Sequence, residues 1–96
     1  WFIPAEVTTC VIWVATGPAG LLLVGYDAAT SVFFLEDQLS RQVTVPFAVS
    51  MTDRICIGVC QTASQRRLFV GRMGADVESA SVALAPIGAF TSLRLY

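Results

Sequence analysis

An uncharged run of twenty residues, Val7 to Tyr26, constrains the fold more than any other feature of the chain. Its length would suit a helix that crosses a membrane. Its middle, however, holds Gly17, Pro18 and Gly20, which would break a helix but suit a turn between two strands. The first half is also rich in the β-branched residues that favour strands. The run therefore predicts a β-hairpin and no membrane insertion.

The rest of the chain repeats this pattern of short apolar runs between turn residues. No stretch has a clear helical period, and about nine short strands are expected. We therefore expect a single all-β domain over residues 1–96, an antiparallel two-sheet β-sandwich of the minimal jelly-roll type. The predicted strands are Trp1 to Ile3, Val7 to Thr16, Leu21 to Tyr26, Ser31 to Glu36, Arg41 to Val45, Asp53 to Cys60, Arg66 to Gly71, Val77 to Leu84 and Phe90 to Tyr96.

Alternation within these strands predicts which side chains face the interior, because successive side chains of a strand point to opposite faces. In the strand from Asp53 to Cys60, for example, Ile55, Ile57 and Val59 share one face, and the cysteines share the other. The expected core is Val11, Trp13, Leu22, Val24, Phe34, Val45, Ile55, Ile57, Phe69 and Leu93.

The low charge of the chain limits what its surface can be. Charged residues make up 14% of the chain and hydrophobic residues 55%, whereas a typical globular protein carries about 25% charged residues. Part of the surface must then be apolar, which suits a module excised from a longer chain or covered by neighbours. A free domain of low charge is the alternative. The net charge of -1 predicts neither a nucleic-acid partner nor an anionic membrane.

The side chains available for catalysis are few, because the chain contains no His and no Lys. A Ser or Cys nucleophile would need a carboxylate as its base. Glu36 and Asp37 are neighbours that would point to opposite faces of a strand, so they cannot flank one bond, and a solvated turn is expected there. Arg66 and Arg67 fit a small anion site or a solvated strand start. We predict that the chain is not an enzyme and has no catalytic, cofactor-binding or metal-binding residues and no cofactor.

Three cysteines, Cys10, Cys56 and Cys60, leave one without a partner inside the chain if any two are bridged. All three could instead be reduced core residues of an intracellular protein. A zinc site would need a carboxylate as its fourth ligand, and Cys56 and Cys60 would lie about 13 Å apart along one strand. The residues alone leave these alternatives open.

Six segments resemble, in this order, the strands of pentraxin and laminin-G-like domains of the concanavalin-type jelly roll. They are Thr8 to Val14, Leu22 to Asp27, Arg41 to Val45, Arg54 to Val59, Arg67 to Gly71 and Gly88 to Tyr96. In that family a disulfide joins the strands that match Cys10 and Cys56. The resemblance therefore implies this bridge, places the two strands side by side, and leaves Cys60 as a free or intermolecular thiol. It also implies an oxidising, extracellular setting.

The resemblance and the low charge together predict a non-enzymatic structural, adhesion or assembly module of a larger extracellular protein or array, secreted or at the cell surface. Its partners would be other proteins or neighbouring copies, and a glycan is a further candidate. A carbohydrate-binding, lectin-like domain is the first alternative, and a coat or capsid-like subunit is the second. The family's calcium site is not transferred, because the loops hold no cluster of oxygen ligands.

Overall fold

The computed structural model describes residues 9–18, 20–39, 42–50, 53–62, 64–75, 77–83 and 92–95. Within them the chain forms eight β-strands and no helix. The strands are β1 (Cys10–Gly17), β2 (Gly20–Asp27), β3 (Val32–Asp37), β4 (Gln42–Pro46), β5 (Ile55–Gln61), β6 (Arg66–Arg72), β7 (Val77–Val82) and β8 (Ser92–Leu95). The strand expected over Trp1 to Ile3 lies outside the described residues.

The eight strands form two antiparallel sheets that pack as a sandwich-like body. The larger sheet has the order β4-β3-β2-β1-β8, and the smaller one has the order β5-β6-β7. Within each sheet, strands that follow one another in the chain pair as hairpins, and β8 alone joins from far along the sequence to pair with β1. The predicted all-β fold of two antiparallel sheets is confirmed.

The uncharged run from Val7 to Tyr26 supplies the first hairpin. Gly17 of β1 pairs with Gly20 of β2 across a two-residue connection. Gly20 has a backbone φ of 139°, a conformation that residues other than glycine rarely adopt. The turn between two strands is therefore confirmed. Among the residues that the structure describes, there is no helix long and apolar enough to cross a membrane.

The two sheets approach each other most closely where the Cα atoms of β4 come within 8 Å of those of β6 and β7, and those of β3 within 8 Å of β6. Alternate apolar side chains from both sheets fill the space between them. Burial of this apolar surface is the main force that holds the sheets together. The buried cluster is Leu22, Val24, Tyr26, Phe33, Leu35, Val43, Val45, Phe47, Ile55, Leu68 and Val70.

Six of the ten predicted core residues lie in this core or pack against it. Leu22, Val24, Val45 and Ile55 are buried. Two more, Trp13 and Ile57, are partly buried against the cluster. The other four, Val11, Phe34, Phe69 and Leu93, were predicted wrongly.

A β-bulge explains why Val11 is not in the core. Val11 pairs with Gly25 and Trp13 pairs with Val24, so Ile12 is an extra residue on β1. An extra residue reverses the alternation of faces along a strand. Trp13 and Ile12 consequently pack against the core, whereas Val11, beside Gly25, is 39% exposed.

Phe34 and Phe69 were assigned to the wrong face of their strands. In β3 the buried positions are Phe33, Leu35 and Asp37. Phe34 lies on the opposite face, beside Gly25. Phe69 likewise lies opposite the buried Leu68 and Val70, and the guanidinium of Arg67 is 5.9 Å from its ring centre. In each strand the aromatic residue stands between two inward apolar residues.

Candidate interaction cleft

An open, largely apolar cleft lies between the sheets on the side where β5 and β8 are the outer strands. It has a volume of about 700 Å³. None of the described residues that line it is charged. They are Trp13 and Ala15 of β1, Leu22 of β2, Val59 and Gln61 of β5, and Ser92, Leu93 and Leu95 of β8. The cleft exists because the smaller sheet ends at β5, while the larger one continues to β1 and β8.

The wall formed by β8 presents two exposed leucines to the cleft. Leu93 pairs with Ala15 and Leu95 with Trp13, so all four share the inner face of the larger sheet. The hydroxyls of Thr16 and Ser92 are hydrogen bonded at 2.6 Å and hold the start of β8 against β1. Leu93 is nevertheless 64% exposed and Leu95 74% exposed, because no described strand of the smaller sheet covers them.

The opposite wall is β5, whose faces alternate as predicted. Val59 and Gln61 line the cleft, and Ile57 and Val59 pack against the core. Cys56 and Cys60 occupy the other face of the strand, and Cys60 is exposed. β5 pairs with β6 on one side, and no other described strand pairs with it.

A buried ion pair lies directly behind the cleft. Arg66 Nη1 is 3.0 Å from Asp37 Oδ2, and the two side chains are 1% and 0% exposed. Asp37 also accepts a hydrogen bond from the Leu39 backbone N–H at 2.9 Å. Because Asp37 is in register with Leu22 and Arg66 with Gln61, the charges sit one strand away from the cleft lining. The expected solvated positions for Asp37 and Arg66 are thus wrong.

A second ion pair, which includes no residue of the cleft lining, joins the segment between β4 and β5 to β6. Arg72 Nε is 3.0 Å from Asp53 Oδ1, and the Arg72 guanidinium lies over the Phe47 ring at 4.7 Å and donates to the Ala48 carbonyl. Asp53 accepts a hydrogen bond from the Ser50 backbone N–H at 2.8 Å. This hydrogen bond, reinforced by Arg72, holds the pKa of Asp53 below its usual value of 3.8.

The structure does not contain the expected disulfide between Cys10 and Cys56. None of the three cysteines forms a disulfide. Cys10 lies in the larger sheet and Cys56 in the smaller one, and no Cα atom of β1 comes within 8 Å of a Cα atom of β5. A disulfide needs Cα atoms less than about 7 Å apart. The expectation that these two strands are neighbours is therefore wrong, since β5 pairs with β6 instead.

Sequence reasoning missed most of the cleft. It placed Leu93 in the closed core and gave no role to Leu95, Ser92 or Gln61. Leu93 and Leu95 are two residues apart and so share one face of their strand, and both line the cleft. What the sequence did not reveal is that, in the described part of the chain, no strand of the smaller sheet lies opposite that face.

Comparison of the chain with protein-family models, with curated proteins and with solved structures finds no match. In the described ranges, no three His, Cys, Asp or Glu side chains come together in a way that could hold a metal ion. The apolar cleft remains the feature that suits a binding role.

Proposed function

We propose that the chain is a non-enzymatic structural or adhesion module that assembles with protein partners through the cleft between its two sheets. The observation that carries this proposal is the exposure of Leu93 and Leu95 beside Trp13 in a cleft whose described lining is uncharged. Contiguous apolar surface of this kind is costly in water and marks contact sites on soluble proteins. Covering it with a protein partner would stabilise the complex by the hydrophobic effect.

The lining is less suited to the alternative ligand, a sugar. Sugar recognition relies on several hydrogen-bonding side chains around an aromatic platform, and the polar side chains among the described lining residues are Gln61 and Ser92. Trp13 offers an aromatic surface, but its neighbours Leu93 and Leu95 are aliphatic. A protein surface with apolar side chains is the better complement to this cleft.

The finer assignment to a pentraxin-like or laminin-G-like jelly roll belongs to the same proposal. It is supported by the all-β architecture of two antiparallel sheets and by β8, which returns from far along the chain to pair with β1. The extracellular location and the larger parent protein are proposed from the resemblance and the low charge, without support from a disulfide.

The experiment compares Leu93→Ser with Leu39→Ser. Both leucines are exposed to the same degree, 64% and 65%, but only Leu93 is among the cleft-lining residues. In the absence of another partner, copies of the chain should cover the cleft for one another at high concentration. Light scattering should then show a mean mass that rises with protein concentration for the wild type and for Leu39→Ser, but not for Leu93→Ser.

Two results would contradict the proposal. One is an equal effect of the two substitutions on association, because the cleft would then have no special role. The other is specific retention of the wild-type protein on a glycan array that Leu93→Ser abolishes, which would make the cleft a sugar site.

A further inference from the structure

We draw no further inference here: the strongest candidate, the apolar cleft between the two sheets beside Leu93 and Leu95, belongs to the site already described, and nothing in the structure shows what covers it.

Discussion

Arg66 and Asp37 form an ion pair between the two sheets, with Nη1 of one 3.0 Å from Oδ2 of the other and both side chains almost fully buried. Arg66 belongs to β6 and Asp37 to β3. Removing two charges from water is costly, and only their mutual attraction and further hydrogen bonds compensate for it. The pair therefore fixes how the two sheets are positioned against each other, because any packing that separates Arg66 from Asp37 would leave a buried charge without its partner.

Replacement of Asp37 by Asn should destabilise the fold strongly. Arg66 would then keep its charge in the interior without a carboxylate, and breaking one side of a buried pair costs about 3–5 kcal/mol. Urea unfolding measures this loss. The double variant Asp37→Leu with Arg66→Met should be more stable than Asp37→Asn, because it leaves no buried charge. A double variant that is less stable than the single one would show that the pair does more than neutralise Arg66.

Much of the fold could be predicted from the sequence because the strands are short and sharply bounded. The turn at Gly17 to Gly20 followed from glycine and proline, and all eight strands in the described residues begin and end within a few positions of the predicted bounds. The faces of β5 followed from simple alternation. In each case a local physical rule decides the outcome, and no distant contact overrides it.

The errors arose where a distant or subtle feature decides the structure. The extra residue at Ile12 reverses the faces of β1, and nothing in the local sequence marks it. In β3 and β6 the alternate residues that face the core include the charged Asp37 and Arg66. Each charge is tolerated there only because the other is present. The cleft depends on how many strands each sheet contains, which no single strand reveals.

Replacement of Gly25 by Ala should destabilise the larger sheet. A Cβ at Gly25 would overlap the ring of Phe34 and lie 2.8 Å from the Cys10 carbonyl oxygen, which belongs to the backbone and cannot move aside freely. Overpacking of this kind costs about 1–3 kcal/mol, measurable by urea unfolding. Gly58→Ala is the matched control, since its Cβ would meet Phe69 at an ordinary 3.7 Å. Similar losses in the two variants would contradict the steric explanation.

The stability of the fold should fall in acid partly because of Asp53. The Ser50 backbone hydrogen bond and Arg72 keep the pKa of Asp53 in the folded protein below 3.8. A carboxyl group with a lowered folded pKa contributes stability above the unfolded pKa and loses it as the pH falls through the folded one. Asp53→Asn should therefore be less stable than the wild type at pH 6, and the difference should shrink below about pH 4. A difference that is constant between pH 6 and pH 3 would contradict this.

All three cysteines should react as thiols when the protein is unfolded without a reducing agent. The Cα atoms of β1 and β5 are more than 8 Å apart, and a disulfide needs less than about 7 Å. Cys56 and Cys60 lie about 13 Å apart along one strand and cannot join each other either. Intact mass after alkylation should show three modified thiols, and two in a Cys56→Ser control. One modified thiol in the wild type and two in the control would mean that Cys56 is bridged. A bridge to Cys10 would require a different arrangement of the two sheets, and a bridge to Cys60 a different conformation of β5.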